Sequence, residues 1–228
     1  GVARAGFIAI QFCQSFVDEG IISPKEREIF FNSLSTVSKK LSNSLNDVVN
    51  GKLSEQEFLR SFGHLRPGTY DITTKRYDES FDRYFSSLKH NETTKNIRFE
   101  FSEHQIEKID TFIQRDKIES NASDLIKFIK MSIEGREYTK FVFSHTVSEC
   151  LQLLQTLGQK FKISREDMAH LDIKLILDAY SNLAMSGLGE VMQDGIDKNK
   201  SRYRYTEGVR LPSLITKPEN VYSFYIEQ

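Results

Sequence analysis

Cysteine and proline are scarce in this chain, and charge of neither sign dominates. Only two cysteines occur among 228 residues, too few for a disulfide framework. Cys13 and Cys150 both fall within apolar helical patterns, so we expect two small buried hydrophobic side chains. The 31 Lys and Arg residues nearly balance the 32 Asp and Glu residues, for a net charge of −1. This balance, with no basic block, excludes a nucleic-acid binder that relies on a broad basic face.

Long hydrophobic runs are also lacking. No apolar stretch approaches the ~18–20 residues that a helix needs to cross a bilayer, so we expect no membrane partner. Hydrophobic residues make up 39% of the chain and charged residues 28%, which is too apolar for a disordered tail. The composition therefore predicts a soluble, cytoplasmic protein with a packed core.

Helical periodicity fills the long interval without proline. The prolines lie near the two ends, at Pro24 and Pro67 and again at Pro212 and Pro218. Between these pairs, apolar residues recur every three or four positions, as in helices with one buried face. The sequence predicts a mainly α fold, a multi-helix bundle with a polar Gly/Pro loop insertion. A short extended segment is expected from Tyr203 onward.

Serine caps predict where several helices begin. Ser23, Pro24 and Glu26 form a capping box that opens a long predicted helix ending near Asn50. Further helices are predicted to begin at three other serines: Ser54, Ser102 and Ser164.

Two later helices are predicted mainly from their apolar spacing. The strongest segment begins at Ser123 and runs to about Gly158, with either a kink at Gly135 or two helices end to end. After a glycine turn, a last helix of roughly ten residues is predicted from Glu190 to Lys200.

Both ends of the chain fall inside regular patterns. Apolar helical spacing already runs from Val2, and residues 222–228 alternate like a strand. We therefore expect residues 1–228 to be one domain cut from a longer protein. The polar stretch 86–98 is the predicted mobile loop. It suggests a subdivision into a helical hairpin plus loop at 1–85 and a helical bundle at 99–228.

Motifs for nucleotides and metals are missing. The sequence has no Gly-x-x-x-x-Gly-Lys-Ser/Thr loop and no Gly-x-Gly-x-x-Gly turn that opens a helix, so no nucleotide site is predicted. The five histidines lie far apart, and none has a second His or a Cys at the spacing of a helical ligand pair. We predict no metal and no cofactor within this chain.

One polar segment stands out as a candidate site. It reads Gly-His-Leu-Arg-Pro-Gly-Thr-Tyr-Asp-Ile over 63–72 and is followed by Arg76. Its glycines and proline predict a stiff loop that holds charged side chains in place before a ligand arrives. His64 is the candidate catalytic group, because an imidazole donates or transfers a proton near neutral pH. Arg66 and Arg76 supply fork-shaped donors for a carboxylate or phosphate.

The same segment offers two more candidate substrate-binding side chains. Asp71 would orient the histidine or an arginine, and Tyr70 stands next to it. The alternative interpretation is that His64 and Asp71 only satisfy backbone groups of a complicated turn while Tyr70 packs.

A second candidate surface lies in the strongest predicted helix. Arg136 and Lys140 are four residues apart and share a face, as do Glu137 and Phe141. We expect the charged members to meet an anionic substrate or another domain. The alternative is ordinary solvated charge, for which each pair contributes only a few tenths of a kcal/mol.

Three stretches together resemble the central region of phosphoenolpyruvate-synthase-like phosphotransferases. They are Ala-Arg-Ala-Gly-Phe-Ile-Ala-Ile at 3–10, the loop at 63–72 with Arg-Tyr-Asp-Glu at 76–79, and Glu-Gly-Arg-Glu-Tyr-Thr-Lys-Phe-Val-Phe at 134–143. The likeness covers nearly the whole chain. It is strongest to members from bacterial surface-polysaccharide gene clusters, and rifampin phosphotransferase resembles the chain more distantly.

The resemblance implies a function inside a larger polypeptide. Such enzymes combine an N-terminal ATP-grasp domain, a central domain and a C-terminal domain with a phospho-accepting histidine. They split ATP into AMP and phosphate, and the histidine carries the β-phosphoryl group to a small-molecule acceptor. By this likeness the chain is the acceptor-binding domain and is inactive alone, while ATP and Mg²⁺ belong to the parent enzyme.

The members from capsule gene clusters also imply an acceptor, the side-chain amide nitrogen of L-glutamine in capsular phosphoramidate synthesis. Under this reading Arg66, Arg76 or Arg136 binds the substrate carboxylate, and Asp71 or Glu137 binds its ammonium group. His64 polarises the amide or the arriving phosphoryl group. Two alternatives remain open: a structural spacer within such an enzyme, or a stand-alone helical interaction module.

Overall fold

A computed structural model of the chain describes residues 1–86, 97–181, 187–222 and 225–226. Over these residues the fold is mainly helical, as predicted. The predicted mobile loop at 86–98 lies almost entirely outside the described residues. In chain order the helices are α1 (Val2–Asp18), α2 (Pro24–Ser33), α3 (Val37–Val49), α4 (Glu55–Phe62), α5 (Phe81–Phe85), α6 (Glu103–Arg115), α7 (Ala122–Lys160), α8 (Arg165–Met168), α9 (Ile173–Ser181) and α10 (Leu188–Glu207).

The predicted serine caps are confirmed. At each of three helix starts the serine hydroxyl accepts a hydrogen bond from the backbone N–H three residues on, and the side chain at that position accepts one from the serine N–H. This reciprocal pairing satisfies donors that the first helical turn otherwise leaves open. The pairs are Ser23 with Glu26, Ser54 with Glu57, and Ser102 with Gln105. Ser164 caps α8 through the N–H of Asp167.

The prediction of a single long helix from Pro24 to Asn50 is wrong. The chain forms α2 and α3 instead, because Leu34 adopts an extended conformation after Ser33 and Thr36 caps the next helix through the N–H of Lys39. Leu34 is nonetheless buried. The apolar stripe therefore continues across the break, which is why spacing alone did not show it.

Two later helices also differ from their predicted limits. α7 runs as one helix of 39 residues through Gly135 rather than as two helices end to end. α10 covers 20 residues and continues to Glu207, so the extended segment expected from Tyr203 begins later. Beyond α10, β1 (Val209–Arg210) pairs antiparallel with β2 (Tyr225–Ile226), and a 3₁₀ turn covers Pro218–Tyr222.

The chain divides into two compact units. The first contains residues 1–67 and 76–148, and the second contains residues 68–75 and 149–228. This division differs from the subdivision suggested at 86–98, since it falls within α7 and splits the candidate loop at Pro67. Among the described residues, no helix is both long and apolar enough to cross a membrane.

The first unit has the larger core. Aliphatic and aromatic side chains of α1, α2, α6 and α7 pack together in it. Phe16 and Phe112 meet edge to face, with ring centroids 5.8 Å apart. The members buried most completely are Ala9, Cys13, Phe16, Phe30, Ile109, Ile113, Ala122 and Ile129. Burial raises the pKa of the Cys13 thiol to about 12, as expected for a cysteine that serves as a small hydrophobic side chain.

The second unit has a smaller core rich in methionine and leucine. Met192 and Ile196 are its most buried members, with Leu188, Met168, Ile163 and Ile72 around them. Cys150 is exposed, so the expectation that both cysteines are buried holds only for Cys13. Cys150 falls on an outward position of α7, which the apolar pattern around it did not reveal.

Candidate functional site

An aromatic cluster in the first unit fixes the helix from which the candidate loop leaves. Phe58 of α4 is fully buried, and its ring lies 5.3 Å from that of Phe62, 5.8 Å from Phe81 and 5.7 Å from Phe85. Phe62 in turn contacts Phe141 of α7 at 5.8 Å. These contacts hold the end of α4 against α7, where the loop begins.

Backbone hydrogen bonds then hold the first residues of the loop. The N–H of Asp78 donates to the carbonyl of Gly63, and the N–H of Tyr77 donates to the carbonyl of Leu65. A Cβ on Gly63 would stand only 3.0 Å from the Cβ of Asp78 and 2.4 Å from the carbonyl oxygen of Leu59. The close approach of the two segments therefore requires glycine at this position.

His64 lies against one face of α7. Its side chain is only 5% exposed, and its ring centroid is 4.8 Å from Phe141 and 4.6 Å from His145. The Oγ of Ser148 donates to the His64 carbonyl at 2.6 Å. Phe141, His145 and Ser148 share this face, because residues four and seven apart on a helix stand nearly above one another.

Arg66 reaches the same serine. It is 6% exposed, and its Nη2 donates to the Oγ of Ser148 at 3.2 Å. The Ser148 hydroxyl thus accepts a hydrogen bond from a guanidinium and donates one to the loop backbone. We call His64, Arg66, Phe141, His145 and Ser148 the His–Arg cluster. A guanidinium and two imidazoles offer nitrogen hydrogen-bond donors, and such donors bind anionic or carbonyl-bearing ligands.

The next candidates, Tyr70 and Asp71, belong to the second unit. Tyr70 is 72% exposed. Asp71 accepts hydrogen bonds through Oδ1 from the N–H and hydroxyl of Thr73, at 2.8 and 2.7 Å. This is an Asx-type turn, the arrangement that the alternative interpretation of the segment predicts for Asp71. Ile72 anchors the turn in the core of the second unit.

Arg76 belongs to the first unit and forms a bidentate ion pair with Asp78, two residues further along the chain. Its Nη2 lies 2.7 Å from Oδ2 of Asp78, and its Nε lies 3.0 Å from Oδ1. The backbone N–H of Arg76 donates to Glu79. The fork-shaped donor foreseen for a substrate carboxylate therefore binds a carboxylate of this chain.

The α7 candidates differ in their surroundings. Arg136 lies over Phe7 of α1, with its guanidinium carbon 4.7 Å from the ring centroid. A Cβ on Gly6 would stand 2.7 Å from the Cδ of Arg136, so the arginine packs directly onto α1. Glu137 is half-buried and lies one turn before Phe141, on the face of the His–Arg cluster. Lys140 is exposed.

His145 and Ser148 were not among the predicted site residues. Their signal in the sequence is weak: both stand on one helical stripe with Phe141 and Ser144, where polar residues interrupt an otherwise apolar face. Ser144 donates to the carbonyl of Phe141 within its own helix. Only the fold brings the stripe to the loop, because Ser148 lies 84 positions from His64.

Neither a metal-binding group nor one of the described cavities lies at the cluster, within the part of the chain that the structure describes. Among residues 1–86, 97–181, 187–222 and 225–226, no group of three or more His, Cys, Asp or Glu side chains is arranged to hold a metal ion. The cavities described for the first unit lie along α1, beside α2 and α3 and beside the first half of α7, and neither His64 nor Arg66 lines any of these. No protein-family model, curated protein or solved structure matches the chain.

Proposed function

We propose that the chain is the acceptor-binding domain of a cytoplasmic, ATP-dependent phosphotransferase of the phosphoenolpyruvate-synthase-like kind. The resemblance of the segments at 3–10, 63–79 and 134–143 supports this assignment. The observation that carries it is the His–Arg cluster, in which the motif loop delivers His64 and Arg66 together onto Ser148. We further propose that the acceptor is L-glutamine and that the product serves phosphoramidate modification of a capsule.

The reaction would use groups from three domains. The γ-phosphoryl group of ATP goes to water and leaves as inorganic phosphate. The β-phosphoryl group passes to a histidine in the C-terminal domain, leaving AMP. From there it is transferred to the acceptor: a P–N bond forms to the amide nitrogen of glutamine, the P–N bond to the histidine breaks, and the amide gives up a proton. ATP and Mg²⁺ act in the ATP-grasp domain, outside this chain.

Within this scheme the cluster binds and orients the acceptor. Arg66 fits a carboxylate or the phosphoryl oxygens, because a guanidinium offers paired donors and keeps its charge when buried. His64, which lies in the same cluster, would polarise the side-chain amide of the acceptor. Glu137, on the same face of α7, is the better candidate for the substrate ammonium group, since the carboxylate of Asp71 is bound within its own turn.

One set of observations favours the structural-spacer alternative. Arg76 binds Asp78, Arg136 packs on Phe7, and the buried Arg66 and His64 both bond to Ser148. Each of these contacts also serves folding. Experiment can distinguish the acceptor-binding function from the spacer function. If the chain is only a spacer, a conservative change in the His–Arg cluster leaves the affinity for the acceptor unchanged.

The decisive experiment is product analysis on the complete gene product. With ATP, Mg²⁺ and L-glutamine, phosphorus NMR should show AMP, inorganic phosphate and a new phosphoramidate resonance. The 228-residue chain alone should produce none of these. Absence of AMP with every acceptor would disprove the phosphotransferase assignment, whereas a phosphorylated product formed from pyruvate but not from glutamine would disprove only the acceptor.

The same assay with a conservative variant separates acceptor binding from a spacer role. Arg66→Lys keeps the charge but loses the fork, so the KM for glutamine should rise about tenfold, as expected when one charged hydrogen bond is weakened. Arg60→Lys is the matched control on the exposed side of α4. An unchanged KM in Arg66→Lys would favour the spacer.

A further inference from the structure

We propose that His145 is the residue of the His–Arg cluster that contacts the acceptor, and that His64 and Phe141 act as positioning residues for its ring. The proposal rests on the acceptor-binding function above and assigns a contact residue that the motif itself does not contain. It places the contact on α7 rather than on the loop.

The first argument is the contrast in exposure between the two histidines. His64 is 5% exposed and Arg66 is 6% exposed, whereas His145 is exposed. The ring of His145 packs edgewise on that of His64, with ring centroids 4.6 Å apart and an interplanar angle of 60°. Of the two imidazoles, that of His145 is therefore the more accessible to a solute.

The second argument is that His145 is held in place before any ligand arrives. Its backbone belongs to the middle of a 39-residue helix, and its ring packs edgewise on a buried ring. His64 is fixed in turn by Phe141 at 4.8 Å and by the hydroxyl of Ser148. An exposed side chain with a fixed ring loses less rotamer freedom on binding than an ordinary surface side chain.

The third argument is chemical. A neutral imidazole has one donor and one acceptor nitrogen, and a protonated one has two donors. His145 therefore suits a ligand with an amide, a carboxylate or a phosphoryl group. Arg66 contributes positive charge to the same cluster through Ser148. The class of ligand expected is a small polar molecule with a carboxylate or amide end, and L-glutamine has both.

The test compares two reactions of the complete gene product. Phosphorylation of the C-terminal-domain histidine by ATP needs no acceptor, whereas the second step does. His145→Ala should raise the KM for L-glutamine about tenfold or more, the loss expected for one hydrogen bond to a charged group. It should leave histidine phosphorylation and AMP release in the first step unchanged. His145→Gln keeps a donor and an acceptor and should recover part of the affinity.

His104→Ala is the matched control, since His104 is an exposed histidine on α6 of the same unit. An unchanged KM in His145→Ala, with active wild-type enzyme, would overturn the assignment of His145 and leave the proposed function intact. Parallel loss of both steps in His145→Ala and His145→Gln would also overturn it, because it would assign His145 a role in folding. If the wild-type enzyme does not phosphorylate its histidine from ATP, the proposed function fails and this inference with it.

Discussion

The two halves of the candidate loop are held by different kinds of contact, although they adjoin in sequence. Residues 63–66 belong to the first unit, and residues 68–75 belong to the second. In the first half, the anchors are residues remote in sequence. In the second, they are mostly near neighbours. The comparison indicates that the two parts of the motif are held by separate sets of contacts, with the division at Pro67.

The first half places side chains where their positions depend on α7. The Oγ of Ser148 bonds both Arg66 and the carbonyl of His64, and the aromatic rings of Phe141 and His145 pack on the imidazole. Such a cluster is rigid only as long as α4 and α7 stay together. Its geometry is therefore a property of the core of the first unit.

The second half is a local turn with one apolar anchor. Asp71 bonds Thr73, the hydroxyl of Thr74 donates to the carbonyl of Asp71, and Ile72 enters the core of the second unit. Tyr70 projects into solvent. The bonds of Asp71 and Thr74 thus fix the shape of the turn locally, and Ile72 ties the turn to the core of the second unit.

The largest expected effect concerns the aromatic cluster around Phe58, which supports the first half of the candidate loop. Phe58→Ala should lower the free energy of unfolding of the first unit by about 3–5 kcal/mol, because a fully buried aromatic ring is lost and a cavity remains. Tyr70→Ala, an aromatic truncation in the second half, should change stability by no more than about 0.5 kcal/mol. Urea titrations followed by circular dichroism measure both. Equal losses in the two variants would contradict the distinction between the halves.

A smaller effect is expected at the hydroxyl that joins the loop to α7. Ser148→Ala removes the acceptor for Arg66 and the donor to the His64 carbonyl, so it should destabilise the first unit by about 1–3 kcal/mol. Ser144→Ala is the matched control on the same helix face. Its hydroxyl donates to the Phe141 carbonyl of its own helix rather than to the loop, so the loss should be smaller. The same urea titration compares the two, and a greater loss in Ser144→Ala would show that Ser148 does not anchor the loop.

The fold was predictable where the signal is local. Serine caps with Glu or Gln three residues on depend on four consecutive residues, and Ser23, Ser54 and Ser102 all open helices as predicted. The break between α2 and α3 was missed because Leu34 continues the apolar stripe while its backbone is extended. Regular spacing of apolar residues indicates which face of a helix is buried. It does not indicate whether one helix continues or a second helix begins at a cap.

The candidate site was predictable only in part, for a related reason. The glycines, the proline and the polar residues of 63–72 marked the loop, and Arg66 and His64 do lie in one cluster. Ser148 and His145 were missed because nothing near them in sequence points to a loop more than 80 positions away. The fork of Arg76 with Asp78 and the turn of Asp71 are short-range bonds, and the alternative interpretation of the segment anticipated only the latter.

The smallest expected effect lies in the second half of the loop. Asp71→Ala removes two exposed hydrogen bonds from Thr73, and bonds in contact with water exchange for bonds to water, so the second unit should lose only about 0.5–1 kcal/mol. Asp71→Asn keeps an acceptor oxygen for the same turn and should lose less. Urea titration of the two variants beside the parent chain measures the difference. A loss in Asp71→Ala that matches Ser148→Ala would mean that the second half is also held by contacts beyond its own turn.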